Sequence, residues 1–117
     1  MNMLIVCYHD PYDGGDVVWN ALRVAAFQQD VGDDVSFFLL SDAVTLVHEE
    51  TRQPTDARYD ADAELAAALK AGVTFKVCGT CLKNRNLAAE KVRADVAVAT
   101  LKDLSDWLHA AERVLSF

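Results

Sequence analysis

The sequence has too few basic residues to favour one class of partner and too few cysteines to favour one class of fold. Eleven Lys and Arg stand against eighteen Asp and Glu, a net charge of −7, so the surface should repel phosphate backbones and anionic membranes. No nucleic acid and no membrane is expected as a partner. No apolar run approaches the roughly 20 residues of a membrane span. The opening "MNMLIVCYHDPYDGG" also lacks the basic start and small-residue cleavage site of a secretory signal. Together these features predict a cytoplasmic protein. The three cysteines, Cys7, Cys78 and Cys81, are odd in number and too few for a secreted disulfide framework, so reduced thiols are expected. Repeats, low-complexity segments and linkers are missing too. What remains is a chain of 117 residues, 52% hydrophobic, which is enough for one buried core and predicts a single domain over 1–117.

Strand and helix signals alternate along it. "MLIVCY" (3–8) is a continuous apolar run ended by His-Asp-Pro, as in a parallel strand covered on both faces. "GGDVVWNALRVAAFQQDVG" follows, with Val18, Leu22, Ala25 and Ala26 at helical spacing, Asp16 as an expected cap and Gly32 as an expected stop. "DVSFFLL" (34–40) reads as a second strand, and Ser41 and Asp42 as caps of a helix over "AVTLVHE". "EETRQPTDARY" is polar, holds Pro54 and has no period, which predicts a long loop. Asp60, the Leu65 and Leu69 pair and Gly72 frame the next helix, and "VTFKV" the third strand. "CLKNRNLAAEK" reads as a short helix and "ADVAVAT" as a strand with Val96 and Val98 in the core. Thr100 and Asp103 form a capping-box-like start, with Leu101, Leu104, Leu108 and Ala111 on one helix face. "RVLSF" closes the chain as a strand. Such alternation predicts an α/β fold, a mostly parallel sheet sandwiched between helices.

Ligands of open α/β sheets bind at the carboxyl ends of the strands, and Cys78 lies at such an end in "FKVCGTCLKNRN" (75–86). Structural zinc needs four ligands, but there is one cysteine pair, and His9, His48 and His109 are scattered. No metal is expected within one chain. "CGTC" looks like a thioredoxin motif, but it comes two-thirds along the chain and no proline follows it. A third reading needs a single thiolate: backbone N–H groups from Gly79 and Thr80 onward, with Lys83 and Arg85 nearby, would stabilise Cys78 as a nucleophile. It could take a sulfur atom from a persulfide donor and pass it on without a cofactor. Cys81 is then either a resolving thiol or a core residue, and Cys7 a core filler.

The loop "YHDPYDGGD" matches neither the dinucleotide fingerprint nor the P-loop. Asp13, Gly14 and Gly15 should shape the turn, while His9, Asp10 and Ser41 could share a cleft with Cys78. His48 and His109 read as surface or interface residues, and Trp19 and Trp107 as packing residues. Arg58 and Tyr59 could close over the thiol.

The chain resembles the DsrE/DsrF-like family of small α/β sulfur-relay proteins over essentially its whole length. "VCGTCLKNRNL" is similar to the family's strand-end cysteine followed by Gly, a small residue, often a second cysteine, and an arginine. "ALRVAAFQQDVGDDVSFFLLSDAV" and "DLSDWLHAAERVLSF" add weaker support. Where the family usually has glycine after the arginine, Asn86 follows Arg85; asparagine tolerates a left-handed backbone better than most residues. The resemblance implies a three-layer α/β/α sandwich with a five-stranded sheet, a DsrEFH-like variant of the flavodoxin or Rossmann architecture. It also implies assembly as a homotrimer, homohexamer or mixed complex, partners that donate and accept sulfur, and a persulfide on Cys78. A non-catalytic small-molecule-binding or assembly subunit and a dithiol redox protein stand as alternatives.

Overall fold

Short β-branched and aromatic runs form one all-parallel sheet of five strands: β1 (Asn2–Cys7), β2 (Asp34–Leu39), β3 (Thr74–Cys78), β4 (Ala97–Ala99) and β5 (Arg113–Ser116). Their order is β4-β3-β2-β1-β5 in this computed structural model, which describes residues 1–117. Four α-helices connect them: α1 (Val17–Asp30), α2 (Ala61–Ala71), α3 (Gly79–Asn84) and α4 (Leu101–Ala110). The first two crossovers step one way along the sheet, and the crossover through α4 returns across it. Right-handed connections therefore put α1 and α2 on one face and α4 on the other. The aromatic residues bear this out. Phe37 stacks on Phe75 with centroids 4.8 Å apart, whereas Phe38, one residue on and so on the opposite face, meets Trp107 of α4 edge-on at 6.0 Å. The result is a three-layer α/β/α sandwich.

The two faces are covered unequally. Under α1 and α2, Ile5, Cys7, Val35, Phe37, Leu39 and Val77 are all fully buried. Under α4, Leu4 and Phe38 are buried, but Val6, Ser36 and Lys76 only partly so. Lys76 lays its stem on this face with its ammonium 4.5 Å from the Trp107 ring centroid. Phe37→Ala, which removes the largest fully buried side chain from the better-packed face, should cost about 3–5 kcal/mol. Urea unfolding with an unchanged m-value would check this. A domain of this size has about 5–15 kcal/mol in total.

Where local signals were strong, the elements match them. The Asp60 carboxylate accepts the Ala63 N–H at 3.0 Å, Gly72 ends α2 at φ 107°, and Thr100 and Asp103 form a full capping box on α4. Other expectations fail for physical reasons. Asp16 occupies the cap position of α1 but makes no side-chain hydrogen bond; the turn is fixed instead by Asp13, whose Oδ1 accepts the Gly15 N–H at 2.9 Å. "AVTLVHE" forms no α-helix: Ser41–Val47 is a 3₁₀ helix that buries Ala43, Val44, Leu46 and Val47, more than one α-helical stripe would hide. In β4, Val96 lies just before the strand and is buried, while Val98 on this edge strand is 43% exposed. On α4 only Leu104 is buried, leaving Leu101 and Leu108 exposed. The long loop from Glu49 is tied to α1 by a stack: Trp19 meets Tyr59 at 5.2 Å, Arg23 caps Trp19, and Arg58 caps Tyr59. No helix is long and apolar enough to cross a membrane.

Candidate functional site

Cys78 ends β3 in extended backbone (φ −66°, ψ 117°) and occupies the cap position of α3. That geometry turns its side chain back over the first turn, where Sγ accepts the Cys81 N–H at 3.3 Å. Gly79 leaves room for this bend: a Cβ there would lie 3.2 Å from Val98 Cγ1 and 3.6 Å from the Ala99 carbonyl, so a larger residue would need Val98 to shift. The closest approach at this glycine is therefore by the neighbouring strand β4. Cys78 is 3% exposed, and Cys81, on the next turn, is half-buried.

Electrostatics around the sulfur oppose one another. Burial pushes the Cys78 thiol above its ordinary pKa, and the Cys81 side chain, within hydrogen-bonding reach, pushes the same way. The backbone N–H groups of Cys81 and Thr80 pull it down, and the net direction is upward. Arg85, expected as a cation beside the thiol, turns away from it. Its guanidinium donates to Asp42 Oδ1 from Nη2 (2.9 Å) and Nε (3.2 Å) and to the Cys81 carbonyl from Nη1 (3.2 Å). It thereby clamps the end of α3 to the 3₁₀ helix after β2. The next residue, Asn86, takes the left-handed conformation at φ 55°, so the turn that glycine would serve forms with asparagine. Lys83 is exposed and, with Gly79 and Asn86, lines an open cavity of about 530 Å³.

The remaining sequence candidates are held elsewhere. His9 pairs with Asp13 (Nε2 to Oδ2, 2.6 Å), and that carboxyl is held low first by the Gly15 N–H and then by His9. Asp10 Oδ1 accepts the Tyr12 N–H at 2.8 Å. Ser41 bends the chain out of β2 at φ 51°. Arg58 and Tyr59 stack towards α1. Cys7 points to the α1 and α2 face, opposite to Cys78 and on a strand separated from it by β2, so the two cannot pair. No group of three or more His, Cys, Asp and Glu side chains is arranged to hold a metal ion.

His48, expected at the surface or an interface, is instead buried within the chain at 3% exposure. It follows the 3₁₀ helix in extended backbone, with Nε2 donating to the Ala88 carbonyl at 2.9 Å and Nδ1 accepting the Glu50 N–H at 3.1 Å. An antiparallel bridge between His48 and Val92 completes the joint. It fastens the connection after β2 to the one after β3. Beside it lies a cavity of about 440 Å³, lined among others by Tyr12, His48, Thr51, Arg52 and Arg93, all on connections that leave strand carboxyl ends. His48→Ala would leave the part-buried Ala88 carbonyl and Glu50 N–H without their partner and empty a buried side-chain site, costing about 2–4 kcal/mol. A lowered urea midpoint would check this, together with faster amide exchange in residues 88–93. No sequence signal identified this residue, because its partner at Ala88 is 40 residues away.

The sequence model of the DsrE/DsrF-like family matches residues 1–117. Protein YchN of Escherichia coli strain K12 is 31% identical over 117 residues, covering 98% of this chain and 97% of the relative. An uncharacterized protein of Methanopyrus kandleri is 30% identical over 113 residues, covering 97% and 91%. The crystal structure of the E. coli ychN protein superposes with a TM-score of 0.86 at 28% identity, covering 100% and 99% of the two chains. A Bacteroides thetaiotaomicron protein of unknown function shares the fold at a TM-score of 0.74 and 22% identity, covering 99% and 94%.

Proposed function

This chain belongs to the DsrE/DsrF-like family, and on that premise we propose that it is a sulfur-transfer protein carrying a persulfide on Cys78. The observation that supports this most is the placement of the Cys78 sulfur at a strand carboxyl end with the Cys81 N–H directed at it. The Cys78 thiolate attacks the terminal sulfur of a donor persulfide and forms a new S–S bond. The donor's S–S bond breaks, its thiolate leaves, and the terminal sulfur remains on Cys78 for an acceptor thiol to take. No metal or cofactor takes part. The N–H groups of Thr80 and Cys81 stabilise negative charge on sulfur as it develops. Burial keeps the resting thiol protonated, so transfer requires the donor persulfide to be brought against α3, where these N–H groups favour the thiolate.

The reading places the chain in the cytoplasm, with protein sulfur donors and acceptors as partners. Self-assembly into a homotrimer or homohexamer belongs to it and is supported by the exposed Leu101 and Leu108 of α4 and Val114 and Leu115 of β5. A second reading, a subunit that binds a small molecule without catalysis, draws support from the raised thiol and from the cavity beside His48.

Anaerobic incubation with a persulfide donor, followed by mass mapping of each cysteine, separates the two. Sulfur is expected on Cys78 or, where it has been passed on, as free sulfide. The absence of both under saturating donor would remove the sulfur-carrier reading in favour of the second.

A further inference from the structure

The carrier reading needs one thiol, yet the structure sets a second against it. Cys78 and Cys81 stand three residues apart across the first turn of α3, where neighbouring side chains are about 5–6 Å apart at Cβ on a regular helix. Here the extended backbone of Cys78 turns its sulfur over this turn, where Sγ accepts the Cys81 N–H at 3.3 Å. The two thiols lie within hydrogen-bonding reach of one another, and a disulfide between them would need a Cβ separation of about 3.5–4.5 Å. The two thiols also differ in access: Cys78 is 3% exposed and Cys81 is half-buried. Arg85 holds the Cys81 carbonyl at 3.2 Å and so fixes the turn on which Cys81 is carried.

We propose that Cys81 resolves the Cys78 persulfide and releases its outer sulfur as hydrogen sulfide, making the chain a persulfide reductase with an internal dithiol. The step rests on the carrier reading of Cys78. The Cys81 thiolate attacks Sγ of Cys78, the inner sulfur of the persulfide. A Cys78–Cys81 bond forms, the bond from Sγ to the outer sulfur breaks, and the outer sulfur leaves as hydrosulfide. The electron balance closes within the site. The outer sulfur is reduced to sulfide, the two cysteine sulfurs are oxidised to a disulfide, and the proton released from Cys81 is taken up by solvent or by the leaving hydrosulfide. A cellular dithiol then reduces the disulfide for the next cycle. Attack at the inner sulfur is favoured because the turn places Cys81 against Sγ itself and because hydrosulfide, being less basic than a cysteine thiolate, leaves readily. Proximity within one turn also converts the step into an intramolecular one.

The test uses the full chain, reduced, desalted and mixed anaerobically with glutathione persulfide, and follows free sulfide alongside intact and peptide masses. The wild type should release sulfide in stoichiometric amount, lose two hydrogens in mass and yield a linked Cys78–Cys81 peptide. Dithiothreitol should permit a second round. Cys81→Ser should instead retain one extra sulfur on Cys78 and release sulfide at least about 100-fold more slowly. The proposal is overturned if the wild type keeps the extra sulfur with Cys81 free, or if Cys81→Ser releases sulfide at the wild-type rate. If Cys81→Ser takes up no sulfur on Cys78 at all, the carrier reading itself has failed and this inference falls with it. That outcome is distinct from a carrier that fails to resolve.

Discussion

Replacing Cys78 by serine is expected to abolish sulfur uptake at residue 78, a loss of at least about 1000-fold, while leaving the fold within about 1 kcal/mol of the wild type. The two halves of this expectation have separate causes. An alcohol at this position cannot form the S–S bond that holds a sulfane sulfur, so no second-best chemistry is left. Serine is, however, a preferred residue at the cap position of a helix, and its hydroxyl can accept the Cys81 N–H that Sγ accepts in the wild type. The hydroxyl is small, and the cost of burying it is offset by that hydrogen bond. Mass mapping after treatment with a persulfide donor gives the first number and urea unfolding gives the second. Uptake at the wild-type rate by Cys78→Ser would contradict the assignment. A collapse of stability would show that the sulfur also packs, beyond what the cap hydrogen bond replaces.

The second large effect concerns Cys7, which should react with iodoacetamide at pH 8 at least about 1000-fold more slowly in the native chain than in urea. Burial raises its pKa from 9.0 to about 11, partly countered by a backbone hydrogen bond from His9. Two units reduce the thiolate fraction by about 100-fold relative to an ordinary thiol. Exclusion of the reagent from a fully buried site supplies the rest, since reaction must await opening. The same shift makes stability depend on pH with a definite sign. The unfolded chain ionises this thiol near 9 and the folded chain near 11. Stability is therefore fully present below 9 and declines as pH rises from 9 to 11, by about 2–3 kcal/mol. Tyr12, raised by burial and by its hydrogen bond to Asp62, acts in the same direction above its ordinary pKa. Alkylation rates at each cysteine against pH, with urea midpoints over the same range, check both statements. A Cys7 as reactive as Cys81 would refute them.

These effects trace back to how much of the molecule its local residue patterns encode. The strands are legible because parallel strands buried on both faces must be apolar in succession, as "MLIVC" and "FFLL" are. α2 and α4 are legible because Asp60, Gly72, Thr100 and Asp103 satisfy helix ends within a few residues of themselves. Cys78 is legible because a strand followed directly by a helical turn leaves its cap residue at the sheet edge. What escapes is set by distant partners. His48 looks like a solvated histidine until residue 88 comes beside it. Arg85 looks like a cation for the thiol until Asp42 comes within 2.9 Å and takes it. Val98 has a core-like sequence environment but sits in a three-residue strand at the edge of the sheet. Local periodicity carries no information about which strand ends up outermost.

The unequal covering of the two sheet faces also gives the molecule one optical reporter for each helical layer. Its only tryptophans are Trp19 and Trp107. Trp19 lies on α1 between the Arg23 guanidinium and the Tyr59 ring, so its emission follows the attachment of the long loop. Trp107 lies on α4 between Phe38 and the Lys76 ammonium, so its emission follows the more thinly covered face. With one indole replaced at a time, fluorescence can report whether the two layers melt together as a single cooperative unit or whether the α4 layer loosens first.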